Sequence, residues 1–133
     1  MNKPGSRFPL LIILICLASL FYPAHSAIPF DPWNKTDLAL EGAYLAGHAI
    51  DWAQTITIAR NPDKWHEHNP ALGKHPKAGQ VNLVMGIMAV VQPIIAHLLP
   101  NPYRRIYIGT TLAAKVFCVG NNLAAGIGWG AKW

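Results

Sequence analysis

The chain has 133 residues, room for one domain, and it is 52% hydrophobic and only 13% charged. A water-soluble domain carries about 25% charged residues to dress its surface, so half that share excludes a chain whose whole surface meets water. The formal net charge of +5 does not point to nucleic acid, because the Lys and Arg residues flank apolar segments instead of forming one stripe; they fit the bias of basic residues toward the inner loops of membrane proteins.

Residues 1–27 read as an export signal. Lys3 and Arg7 make a short basic start, 8–22 is an uncharged apolar run, and Ala24, Ser26 and Ala27 place small residues where a signal peptidase cuts. Ile15 ahead of Cys16 does not suit lipoprotein processing. The second reading is retention as a signal anchor, since 8–27 offers about 20 apolar residues, enough to span a bilayer; cleavage is the preferred of the two. Cys16 and Cys118 both lie in apolar runs and read as packed thiols, not as a disulfide.

The next apolar segment covers residues 38–59, with Asn34 or Thr36 as candidate N-cap, Asp37 suited to the first turn, and Arg60-Asn61-Pro62 as its end. Residues 81–99 are uncharged apart from His97 and close at Pro100; Gln92 and His97 are its contribution to the polar interior, with Pro93 expected to bend the helix between them. Residues 106–129 are apolar except for Lys115 and a few amides and hydroxyls. Each approaches the length that crosses a roughly 30 Å hydrocarbon layer, and none alternates like a membrane strand. The expected fold is an all-α membrane protein: a bundle of three transmembrane helices in 28–133, or four if the N-terminal segment is kept. Arg60, Lys64, Lys74 and Lys77 put the 60–80 loop, and with it the C-terminus, on the cytoplasmic side of a bacterial inner membrane, with Arg104 and Arg105 as the exception in the outer turn.

The polar residues of the first segment are periodic. Glu41, Tyr44, His48, Asp51 and Thr55 follow one another at steps of 3, 4, 3 and 4, which places them on one helical face. Thr111, Lys115, Cys118 and Asn122 repeat at steps of 4, 3 and 4 in the last segment. A carboxylate facing hydrocarbon costs at least ~2.5 kcal/mol, so both stripes should face inward. The spacing predicts an intramembrane Asp51–Lys115 ion pair with His48 beside it. The plain alternative is polar packing between helices, worth about 0.6 kcal/mol per contact. Gly120, Gly126 and Gly128 are expected to admit close helix approach, and Tyr103, Trp129 and Trp133 to sit at the membrane interface.

The loop gathers His66, Glu67, His68 and His75, donors of the kind that bind zinc or another borderline metal, although the spacing is no established metal signature. Its plain reading is a folded turn built on Asn69, Pro70, Gly73 and Pro76, with Trp65 at the headgroup level. The run Asp51-x-x-Gln54-Thr55 followed by Glu67-x-Asn69-Pro70-x-Leu72-Gly73-x-His75-Pro76 resembles a pattern in small uncharacterised bacterial and phage-borne integral membrane proteins. The resemblance covers about residues 40–125, implies a small helical membrane protein, and brings no activity with it. It groups Asp51, Thr55, Glu67, Asn69 and Pro70 as positions acting together, with Asp51 or Gln54 capping the turn at Asn69.

No nucleophile elbow, phosphate loop or Cys-x-x-Cys pair occurs, and no cofactor-binding motif is present. The expectation is a multi-pass inner-membrane protein acting as a structural or accessory component of a membrane assembly, with the lipid bilayer and either a second copy or a larger membrane protein as partners, and no nucleic acid. Two alternatives remain open. One is a small membrane enzyme or ion- or proton-conducting transporter built on the Glu41, His48, Asp51 and Lys115 cluster; the other is a metal-binding loop.

Overall fold

The computed structural model describes residues 31–67, 69 and 71–129. Among them the chain is all helical: α1 (Lys35–Arg60), α2 (Ala78–Leu98) and α3 (Tyr103–Ala124), with no strand. The expected signal or anchor segment, Cys16, His68, Pro70 and Trp133 lie outside the described residues.

Local chemistry sets the helix ends. Asn34 is the N-cap of α1: its side chain accepts from the backbone N–H groups of Thr36 and Asp37 at 2.9 and 3.1 Å, and Asp37 accepts from the Asn34 N–H at 3.2 Å. This reciprocal capping box satisfies donors that the first helical turn otherwise leaves open. Arg60 places its positive charge against the carbonyl end of α1. Helix α2 runs unbroken through Pro93 to Leu98.

Helix α3 differs most from the expected bounds. It begins at Tyr103, not 106, because Arg104 and Arg105 are helical and turn inward, and it ends at Ala124, not 129. Beyond Ala124, Gly126 and Gly128 have φ of 78° and 70°, a left-handed backbone that ends a helix and that glycine adopts without steric cost. These glycines close the helix instead of admitting a neighbour, and Gly120 faces open space. The close approaches occur elsewhere. Gly47 of α1 lies against Lys115, where an added Cβ would sit 3.5 Å from the lysine Cβ, and Gly86 of α2 lies against the Trp52 ring at 3.7 Å.

Helix α1 is central. It packs most extensively on α3 and next on α2, while α2 and α3 touch least. Contacts join the starts of α1 and α3 (Asp37 to Arg104) and their ends (Gln54 to Asn122), so these two helices run parallel, and α2 runs antiparallel to both. Two small apolar clusters close the bundle. Ile56, Leu72, Val81 and Met85 seal the loop end, and Tyr44, Ala96 and Ile108 seal the half nearer the α2–α3 turn.

The distribution of side chains is inverted relative to a water-soluble bundle. The buried face of α1 carries Asp37, Glu41, Tyr44, His48, Asp51, Gln54 and Thr55, whereas Leu83, Ile87, Val90, Ile94 and Leu98 of α2 and Ile106, Val116 and Phe117 of α3 are exposed. By length and composition, α2 is the one helix among the described residues that is apolar enough to cross a membrane.

A polar spine as the candidate functional site

Every member of the α1 stripe read from the sequence is buried: Glu41, Tyr44, His48, Asp51 and Thr55, with Gln54 beside them. The 3.6-residue helical repeat aligns these positions; the parallel α3 supplies partners to Asp51 and Gln54, and α2 to Glu41 and His48. The interior is a polar spine running nearly the whole length of α1.

At the head of the spine, Asp37 accepts from Arg104 Nη1 at 3.3 Å and from Arg105 Nε at 2.9 Å. Arg104 is fully buried and spends its remaining donors on backbone carbonyls, Nε to Ala96 at 3.0 Å and Nη2 to Asp31 at 2.8 Å. Its guanidinium also lies 5.2 Å from the centre of the Trp33 ring, within cation–π range. Burial alone would raise the Asp37 carboxyl. The Arg105 hydrogen bond, the Asn34 N–H, the Arg105 charge and the Arg104 hydrogen bond outweigh it and hold the carboxyl below its ordinary value. The two arginines that sat against the charge bias in the outer turn are therefore structural counter-ions, drawn inward by a carboxylate. Trp33 Nε1 donates to His97 Nδ1 at 3.1 Å and straps the residues before α1 to the end of α2.

One turn further, Glu41 meets Gln92 of α2. With its nitrogen turned toward Glu41, the Gln92 amide donates to Oε1 at 2.6 Å and approaches Oε2 at 3.3 Å. The other end of the same amide lies 3.4 Å from Thr111 Oγ1 on α3, and the Thr111 hydroxyl is also placed to donate to the carbonyl of Tyr107 or Ile108. Below it, the Tyr44 and His48 rings stack with centroids 5.7 Å apart, and Trp52 meets His48 edge-on at 6.0 Å. His48 Nε2 lies 3.0 Å from the Met85 carbonyl oxygen. A carbonyl can only accept, so Nε2 carries the hydrogen and Nδ1 keeps a lone pair.

At mid-spine, Lys115 Nζ donates to Asp51 Oδ2 at 2.7 Å, the ion pair that the spacing predicts, with the two side chains 17% and 7% exposed. The foot of the spine holds Gln54, which accepts from Asn122 Nδ2 at 3.1 Å and donates to the Gly128 carbonyl at 2.7 Å. Thr55 donates to the Asp51 carbonyl one turn back. Cys118 departs from the expected stripe: it is exposed on the outer face of α3 and is not a packed thiol.

The 60–80 loop is organised by its own hydrogen bonds. Asn69 accepts at its carbonyl from the N–H groups of Leu72 and Gly73 and at its side chain from Ala71, while Glu67 Oε1 accepts from the Asn69 N–H at 2.8 Å. Gly73 takes the left-handed φ of 74° that the turn requires, and Pro76 is buried. The expected cap from Asp51 or Gln54 onto this turn does not form, because both side chains are engaged by α3 and the residues after it. The His66 and His75 rings meet edge-on at 4.8 Å, and among the described residues no group of three potential metal ligands converges. Trp65 sits at the foot of the bundle, donating to the Ala125 carbonyl at 3.3 Å with Lys64 above its ring.

The reading of the residues missed Asp37, Arg104 and Gln54 as members of the spine, and all three were within reach. Gln54 lies three residues after Asp51 on the same face, and Asp37 lies one turn before Glu41. Arg104 is separated from Asp37 by 67 residues, close to the 64 that separate Asp51 from Lys115, as parallel helices in register demand. Gln92, expected as a polar position of the middle helix, joins the spine at Glu41. No protein family matches the chain, and neither a curated protein nor a solved structure shows significant similarity to it.

Proposed function

We propose that the chain is a multi-pass inner-membrane protein whose three helices cross the bilayer around the polar spine, and that it serves as a structural or accessory component of a membrane assembly. The observation carrying this reading is the inversion of the bundle. Carboxylates, amides and a histidine are packed between the helices, while Leu, Ile, Val and Phe cover the outside. In water that arrangement would expose a large apolar surface, a liability for a monomer; in lipid the same surface is solvated and the polar interior ties helices together. Lengths agree: 26 residues of α1 and 22 of α3 rise about 39 and 33 Å at 1.5 Å per residue, enough for the hydrocarbon layer. Five of the charges that lower the mean hydropathy of α1 and α3, Asp37, Asp51, Arg104, Arg105 and Lys115, are paired with one another in the spine.

A structural role is favoured over an enzyme or a solute transporter because the spine is packed. Asp37, His48, Gln54 and Thr55 are each at most 1% exposed and bonded within the protein. The groove of about 430 Å³ on the outward face of α2, lined by Asn82, Leu83, Gly86, Ile87, Val90 and Val91, does not reach these groups.

The test is carbonate extraction of membranes holding the full chain, combined with labelling of single cysteines by an impermeant maleimide. The chain is expected to stay with the membrane, Lys74→Cys to label only from the cytoplasmic side and Asn101→Cys only from the outside. Release by carbonate, or labelling of both cysteines from one side, would overturn the reading.

A further inference from the structure

Three carboxylates line the spine, and two of them have cations. Asp37 has Arg104 and Arg105, and Asp51 has Lys115. Glu41 is 7% exposed and forms no ion pair among the described residues; its partner is the neutral amide of Gln92. An ionised carboxylate held in a low-dielectric interior by one neutral donor is costly, and such a group takes a proton instead.

The partner suits both states. With its nitrogen toward Glu41, Gln92 donates to a carboxylate. Turned over, its carbonyl accepts a carboxyl O–H across the same 2.6 Å, an ordinary O–H···O length, and its nitrogen then faces the Thr111 hydroxyl. Tyr44, one turn along the same face of α1, is 3% exposed and closes that side of the carboxyl.

We propose that Glu41 is a proton-binding site in the interior of the bundle, its carboxyl holding one exchangeable proton and donating it in a hydrogen bond to the Gln92 carbonyl. When the proton leaves, the O–H bond breaks, the Gln92 amide turns over, and the carboxylate takes its amide hydrogens in place of the lost bond. The groups at the site are Tyr44 on α1, Gln92 on α2 and, behind that amide, Thr111 on α3. Arg104 and Lys115 each have a carboxylate of their own, which leaves Glu41 as the stripe's proton carrier. The proposal rests on the low-dielectric membrane bundle described above and adds a ligand, the proton, to its interior.

Infrared spectroscopy of the full chain in lipid vesicles tests it, because a protonated carboxyl has a carbonyl band well separated from that of a carboxylate. Glu41 and Glu67 are the two glutamates of the sequence, so carboxyl-¹³C-glutamate labelling restricts the assignment to them. At neutral pH a ¹³C-shifted acid band is expected, kept in Glu67→Gln and lost in Glu41→Gln. In Gln92→Leu, which removes the amide that stabilises the carboxylate form, the band should persist to higher pH than in the wild type. Absence of the acid band from the wild-type chain overturns the proposal without need of any variant. Survival of the band in Glu41→Gln, or an unchanged pH dependence in Gln92→Leu, does so as well. A chain that resists carbonate extraction yet lacks the band refutes the proton site and leaves the membrane reading standing.

Discussion

Lys115 reaches Asp51 across the α1–α3 interface over the bare backbone of Gly47, where an added Cβ would lie 3.5 Å from the lysine Cβ. The glycine sits one turn before the aspartate. A Cβ there would make only ordinary van der Waals contact, so a methyl fits at this crossing, where the ammonium meets the carboxylate at 2.7 Å.

Gly47 substitutions should therefore split by size. An added methyl meets ordinary van der Waals contact and removes a helix-interior glycine, so Gly47→Ala should be neutral or stabilising by up to about 1 kcal/mol. Gly47→Leu should force α3 outward and separate Asp51 from Lys115. Thermal unfolding in detergent should show the leucine variant well below both the alanine variant and the wild type.

The Asp51–Lys115 pair should behave as a unit. Removing one partner strands a buried charge, at a cost of about 3–5 kcal/mol, nearer the lower end because Lys115 is 17% exposed. Asp51→Asn and Lys115→Met should each destabilise the bundle, and the double variant should recover much of the loss. A double-mutant cycle on unfolding free energies measures this; additive losses would show the two residues to be independent.

Arg104 should not be replaceable by lysine. Its guanidinium bridges Asp37, the Ala96 carbonyl and the Asp31 carbonyl, whereas an ammonium on a flexible stem cannot hold that fork. Arg104→Lys should cost on the order of 2 kcal/mol or more through lost charge-assisted bonds. Arg105→Lys, at a half-exposed position, should cost much less. Comparative melting of the two variants decides it.

The Asp37 cluster predicts a pH dependence of defined sign. Its carboxyl is held below the ordinary value, so the folded state binds the proton less readily than the unfolded state does. The stabilisation is complete above the unfolded value of about 3.9 and is lost as pH falls through the lower folded value. The melting temperature of the wild type should exceed that of Asp37→Asn by a constant margin at neutral and mildly acidic pH. That margin should shrink below about pH 4. A margin that grows on acidification would contradict the arginine cage.

Much of the spine is intrahelical geometry, and intrahelical geometry is written in residue spacing. The steps from Glu41 to Thr55 put five side chains on one face of α1 irrespective of what that face meets, and the same rule aligned Lys115 with Asn122. Because a short turn joins α2 to α3, the first and last helices had to run parallel, which was enough to pair Asp51 with Lys115. Asn34 as a cap and Gly73 in the turn follow from backbone chemistry that acts over a few residues.

Spacing cannot supply the rotation and depth at which one helix meets another, since these are settled by packing over the whole interface. Rotation turned Cys118 outward while its stripe neighbours Lys115 and Asn122 met α1, and it brought Gln92 rather than a cation to Glu41. Depth drew Arg104 and Arg105 down into α3, where Asp37 offered more than the outer surface did, and left Gln54 bound to Asn122 and Gly128 instead of to the loop. The sequence by itself determined helices with a polar face and a low-charge exterior. Only the tertiary structure decided that Asp37 is matched by arginines and Glu41 by an amide, because pairing depends on distances of a few ångströms between residues far apart in the chain.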